Sequence, residues 1–128
     1  MKIIVLLMLL TLLLTGYAAP RASANGYRQI TMDEAVEMMA QESNYIILDV
    51  RTREEYESGH IPGAICVPNE TIFQSDIPEL PDKDQLILVY CRSGNRSKQA
   101  SAKLAMLGYT SIVEFGGIHS WPGEIVLP

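Results

Sequence analysis

Apolar and polar positions change period several times along the chain, and each change marks an element. Asn25 to Ile30 reads as a short opening strand. Thr31-Met32-Asp33-Glu34 follows as a capping box, with the threonine hydroxyl placed for a free amide and the glutamate able to reach back. Met32, Ala35, Val36 and Met39 then recur at helical spacing. Tyr45-Ile46-Ile47-Leu48 is a continuous apolar run ending at Asp49, the pattern of a parallel strand covered on both faces. Thr52-Arg53-Glu54-Glu55 is a second capping box and predicts a short helix to about Ser58, ended by Gly59. Ala64 to Val67 is a third strand, closed by Pro68. From Asn69 to Asp84 the pattern is least regular. Ile72, Phe73 and Ile77 predict a short helix there, and Pro78 and Pro81 forbid a long one. Leu86 to Tyr90 is the most apolar strand and should be central. Ser97 to Leu107 carries Ala100, Leu104 and Leu107 on one helical face, with Gly108 as its C′ residue. Ile112 to Phe115 is the last strand, and Gly116-Gly117 predicts a turn before Trp121. Strands alternating with helices imply an α/β domain: a small parallel sheet of about five strands with right-handed crossovers and helices on both faces.

The N-terminus follows a different rule. Seventeen of the first 24 residues are apolar, Lys2 supplies a positive start, and Ile3 to Leu14 is interrupted only by Thr11. Ala22-Ser23-Ala24 then offers small residues at the spacing a signal peptidase reads. A membrane span needs about 20 apolar residues, and this run is shorter. Residues 1–24 are therefore expected to be a signal peptide cleaved after Ala24, with residues 25–128 as one domain exported to the periplasm or beyond. A retained N-terminal anchor is the alternative. Leu14-Thr15-Gly16 begins like a lipoprotein signal, but Tyr17 stands where the lipid-bearing cysteine would have to be.

Composition changes meaning once the leader is set aside. The whole chain has 10 basic and 15 acidic residues and a net charge of −5. Residues 25–128 keep all 15 acids but only 8 bases, a balance of −7. Such acidity excludes a nucleic-acid partner, which requires a basic face. Yet no acid occurs between Asp84 and Glu114, where Arg92, Arg96, Lys98 and Lys103 lie.

That positive stretch surrounds Cys91. The apolar strand runs into Cys91-Arg92-Ser93-Gly94-Asn95-Arg96, and a helix should begin at about Ser97. Ligands of open parallel sheets bind where strands end and helices begin. Loop amides and the helix N-terminus can then face an anion. A thiolate is such an anion, so the Cys91 pKa should fall below about 8.5. A cysteine that merely ends a strand would be buried packing. Two arginines within a glycine-containing loop favour the reactive reading. Cys66, inside Ala64-Ile65-Cys66-Val67 with no cation nearby in sequence, reads as packing.

Three segments together resemble a known family. Leu48 to Tyr56 followed by Gly59-His60-Ile61-Pro62-Gly63-Ala64 is similar to the N-terminal signature of single-domain rhodaneses. Tyr90 to Ser97 resembles their active-site loop, and Gly116-Gly117-Ile118 with Trp121 their C-terminal signature. The resemblance implies a rhodanese-like fold and a sulfurtransferase. Cys91 would carry a sulfane sulfur as a persulfide. The backbone of Arg92, Ser93, Gly94, Asn95 and Arg96 would cradle it, with Arg92 and Arg96 binding an anionic donor such as thiosulfate. A thiol, or cyanide in vitro, would accept the sulfur. This is covalent catalysis in two steps and calls for no cofactor or metal. Four residues separate Cys91 from Arg96. The related phosphatases have one more, which makes phosphatase or arsenate-reductase chemistry the lesser alternative. A persulfide carrier or sulfide-sensing module that docks an exported partner is the other.

The resemblance gives Asp49, Arg51 and Ser97 supporting roles near the loop and makes His60 structural. Trp121 reads as a core or rim anchor, and Glu54, Glu55 and Glu57 as a solvated helix face. His60 and His119 are too isolated to form a metal site. In the family arrangement another strand separates Cys66 from Cys91, placing them roughly 9–10 Å apart at the sheet spacing. A disulfide needs Cα atoms within about 7 Å, so none is expected. The expected partners are a small anionic sulfur donor and a thiol acceptor, with no stable membrane association after cleavage.

Overall fold

The computed structural model describes residues 25–73 and 76–128. The expected leader, residues 1–24, lies outside the described residues. The elements in chain order are β1 (Arg28–Gln29), α1 (Met32–Gln41), β2 (Tyr45–Asp49), α2 (Arg53–Glu57), β3 (Ile65–Cys66), β4 (Leu86–Cys91), α3 (Asn95–Met106) and β5 (Ile112–Gly117). The strands form one parallel sheet in the order β1-β5-β4-β2-β3, so β4, the most apolar run, lies at its centre.

Both threonines that open capping boxes do so. Thr31 Oγ1 accepts from the Glu34 amide at 3.1 Å, and Thr52 Oγ1 accepts from the Glu55 amide at 3.2 Å. The alternation within the strands divides the core between two faces. Leu48, Val50, Ile87, Val89 and Cys91 pack with Ala100 and Leu104 of α3 on one face. Ile47, Leu88, Tyr90, Val113 and Phe115 pack with Ala35 of α1 on the other, where Tyr56 of α2 and Trp121 also rest. Helices therefore cover both faces of the sheet, as the alternating pattern requires. Among the described residues no helix is long and apolar enough to cross a membrane.

Several boundaries differ from expectation. The opening strand pairs only at Arg28–Gln29. The expected helix around Ile72 and Phe73 is instead a 3-10 turn over Asn69–Thr71, after which Ile72 and Ile77 enter the core and Phe73 stays exposed. Helix α3 begins at Asn95, two residues before Ser97, because Gly94 at φ +107° turns the chain directly into it. Gly116-Gly117 does not leave the sheet. Val89 pairs with Glu114 but Cys91 pairs with Gly117, so β5 holds one extra residue in a bulge, with Gly116 at φ +95°. The bulge extends β5 beside the loop that follows Cys91.

Candidate active site

Cys91 is the last residue of the central strand, and residues 92–94 turn from it into α3. The turn brings the Gly94 amide to 3.0 Å from Cys91 Sγ, and the thiol lies 3.4 Å from Ser97 Oγ. Burial would push the thiol pKa up. The Ser97 hydroxyl and the amides of Ser97, Gly94 and Ser93 more than offset it, holding Cys91 below the usual thiol range. Cys91 is 1% exposed, so its sulfur sits at the bottom of the loop. Gly117 lies against the loop so closely that a Cβ there would overlap the Arg92 carbonyl oxygen and crowd Ser93 Cα. Only glycine allows β5 and the loop to approach in this way.

The two arginines of the loop are already engaged. Arg96 makes a forked pair with Glu55 of α2, Nη1–Oε1 at 2.6 Å and Nη2–Oε2 at 2.9 Å. Glu55 is therefore not part of a solvated face. The Arg96 guanidinium holds its carboxyl at about 2, well below the ordinary value of 4.5. Arg92 is exposed and donates from Nε to His119 Nε2 at 3.0 Å. Asn95 is exposed as the first residue of α3, and Ser93 is exposed on the loop.

Asp49 and Arg51, expected near the loop, lie instead on the sheet face opposite Cys91. Arg51 pairs with Asp49 at 2.7 Å and donates to the Gly59 carbonyl at 2.7 Å. The Tyr90 hydroxyl donates to Asp49 Oδ2 at 2.7 Å and accepts from the Ile61 amide at 3.2 Å. Tyr90 points to the face opposite Cys91, so this buried network fixes the end of β4 without touching residues 92–96. His60 belongs to the same structural frame. Its ring stacks on Tyr56 at 3.8 Å, and its backbone pairs with Val126.

Cys66 is buried on β3, and burial pushes its thiol up. It does have a cation nearby in space: Arg53 Nη2 reaches the Cys66 carbonyl at 3.5 Å. Strand β2 lies between β3 and β4, and both cysteines are free. Among the described residues no group of three or more His, Cys, Asp or Glu side chains is placed to hold a metal ion.

Glu114 is the residue the sequence reading passed over. It is 2% exposed and faces the Cys91 side of β5. Its Oε1 accepts from Ser97 Oγ at 2.6 Å and from the Gly116 amide at 2.8 Å. The available signal was one acid inside Ile112-Val113-Glu114-Phe115, a strand covered on both faces.

This architecture is shared with known proteins. Residues 31–124 match the rhodanese-like domain. The chain belongs to the rhodanese-like family. It is 37% identical over 81 residues to the thiosulfate sulfurtransferase PspE of Escherichia coli, covering 63% of this chain and 74% of that one. It is 34% identical over 103 residues to the adenylyltransferase and sulfurtransferase uba4 of Ogataea parapolymorpha, of which it spans only 26%. A rhodanese-like domain protein from Staphylococcus aureus superposes with a TM-score of 0.68 at 30% identity, covering 79% of this chain and 98% of that one.

Proposed function

We propose that this rhodanese-type sulfurtransferase moves a sulfane sulfur from thiosulfate, or a similar small anion, to a thiol through a persulfide at Cys91. The observation that carries the reading is the sulfur of Cys91 held by the Gly94 amide at 3.0 Å at the head of α3. The thiolate attacks the outer sulfur of thiosulfate. The donor's S–S bond breaks and sulfite leaves with the electron pair. The loop amides that hold the thiolate then face the persulfide anion, a charge held by pre-positioned donors. An acceptor thiolate attacks the outer sulfur next, taking it as its own persulfide and releasing Cys91 as thiolate; cyanide would leave as thiocyanate.

The depth of Cys91 limits the donor to a small anion. Arg92 at the rim supplies a cation beside the loop, and Arg96 supplies a second whose charge Glu55 balances. Ser93, Gly94 and Asn95 contribute backbone to the cradle, with Ser97 beneath it. Asp49 and Arg51 hold β4 in place. Export belongs to the same proposal, supported by the apolar run from Ile3 to Leu14 and the Ala22-Ser23-Ala24 site.

The test is thiocyanate formation from thiosulfate and cyanide by residues 25–128, with Cys91→Ser as control. Turnover in the wild type and its loss in the variant support the proposal. Equal rates overturn it. A stable adduct of one sulfur atom on Cys91 with negligible turnover replaces it with a persulfide carrier.

A further inference from the structure

The two arginines beside Cys91 are held in different ways. Arg96 gives both terminal nitrogens to the Glu55 carboxylate, which also balances its charge. Arg92 is held at Nε alone, by His119 Nε2 at 3.0 Å, and among the described residues no carboxylate pairs with it. A guanidinium carries five N–H groups, one on Nε and four on the terminal nitrogens. A bond at Nε therefore leaves the whole terminal edge of Arg92 for a ligand. That edge is the part of arginine that takes two oxygens of an oxyanion at once.

His119 stands on a fixed mount. It is the middle residue of a 3-10 turn, Ile118–Ser120, that follows β5 directly. Its amide donates to the Arg92 carbonyl at 3.4 Å, and Gly117 packs against the same carbonyl. The turn is closed by the Trp121 amide on the Ile118 carbonyl at 3.0 Å, and both of those side chains rest on the core. The backbone of the turn is thus tied to the backbone of the loop, and the two side chains meet across that tie. The imidazole makes no other hydrogen bond among the described residues, and both residues are exposed. Exposed contacts of this kind contribute little to folding. This one orders the cation next in sequence to the nucleophile. An arginine free in solvent loses rotamer freedom when it grips a ligand, and that loss weakens binding. A side chain already held loses less.

We propose that His119 is a positioning residue of the donor site: it holds Arg92 by Nε and so presents the terminal edge of that guanidinium to the oxyanion approaching Cys91. This rests on Cys91 being the nucleophile for an anionic donor. It divides the labour between the two arginines. Arg96 serves mainly to join α3 to α2, and Arg92 supplies the unbalanced charge that recognises the donor.

Two measurements at pH 8 test this. The first is steady-state sulfur transfer from thiosulfate to cyanide. His119→Ala should raise the KM for thiosulfate about fivefold and leave kcat within about twofold. His119→Gln offers Arg92 an amide oxygen and should restore KM. With Arg92→Ala already present, His119→Ala should change nothing further, because the two act through one bond. The second measurement uses no sulfur donor. Cys91 is alkylated by iodoacetate, an anion, and by iodoacetamide, its neutral counterpart, and the product is read by peptide mass. His119→Ala should slow iodoacetate about threefold and leave iodoacetamide unchanged. The unchanged iodoacetamide rate also reports an intact loop. Equal slowing of both reagents, a fall in kcat at constant KM, no recovery in His119→Gln, or the same loss in the Arg92→Ala background would each overturn the proposal. If thiosulfate gives no turnover, the alkylation pair decides: a selective loss with iodoacetate upholds the role of His119 while the proposed function fails, and unchanged rates overturn it.

Discussion

Replacing Glu55 by glutamine should weaken the fold slightly and tighten donor binding. The side chains of Glu55 and Arg96 are 30% and 31% exposed, and their forked contacts are 2.6 and 2.9 Å long. Arg96 pulls the Glu55 carboxyl from 4.5 to about 2. Taken at face value that shift, to which the Thr52 amide and hydroxyl also contribute, corresponds to about 3 kcal/mol. Solvent around a partly exposed pair screens most of it, leaving about 1 kcal/mol. Glutamine can still complete the capping box with Thr52, so the loss reports mainly on the pair. In a domain of this size it should lower Tm by about 5 °C. A depressed carboxyl pKa adds stability that is complete above the unfolded value and lost as pH falls through the folded one. The Tm gap between wild type and variant should therefore be constant from pH 7 to about pH 4.5 and close towards pH 2. The released Arg96 adds one uncompensated positive charge beside the loop, worth about 1 kcal/mol towards a divalent anion at solvent-like screening. The KM for thiosulfate should then fall about fivefold. Thermal melts across pH and steady-state kinetics read both effects. A gap that persists at pH 2 would refute the pairing energy, and a KM that rises would make Glu55 part of the donor site instead of a competitor for Arg96.

Three further outcomes follow from particular contacts. Asp49→Ala leaves Arg51 and the Tyr90 hydroxyl without their shared partner in a buried site, and should cost about 3–5 kcal/mol in denaturant unfolding. Gly117→Ala places a methyl group on the Arg92 carbonyl oxygen and must displace the loop; kcat should fall about 100-fold while the circular dichroism spectrum stays native. Burial pushes the Cys66 thiol up while the loop holds that of Cys91 down, so a limited dose of iodoacetamide at pH 7 should label Cys91 alone by peptide mass mapping.

What the sequence disclosed follows from the range of the interactions involved. Thr31 with Glu34, and Thr52 with Glu55, are three residues apart, and both helix starts were legible in those tetrads. The central place of β4 followed from its unbroken apolar run, because only a strand covered on both faces can be apolar at every position. Contacts that join distant segments carried no local sign. Glu55 and Arg96 are 41 residues apart, and the capping box explained Glu55 so completely that its second bond was invisible. Gly116-Gly117 has the composition of a turn, yet a bulge keeps it in the sheet, because the loop after Cys91 needs a neighbour without a side chain. Counting charge along the chain marked the stretch around Cys91 as free of acids, and in sequence it is. Folding then brings Glu55 onto Arg96 and Glu114 onto Ser97. The site is thus not a simple basic pocket for an anion. It is a thiol held by amides, flanked by cations whose charge is partly balanced, above a buried carboxylate, so the positive charge it can offer a sulfur oxyanion depends on how far Glu55 occupies Arg96.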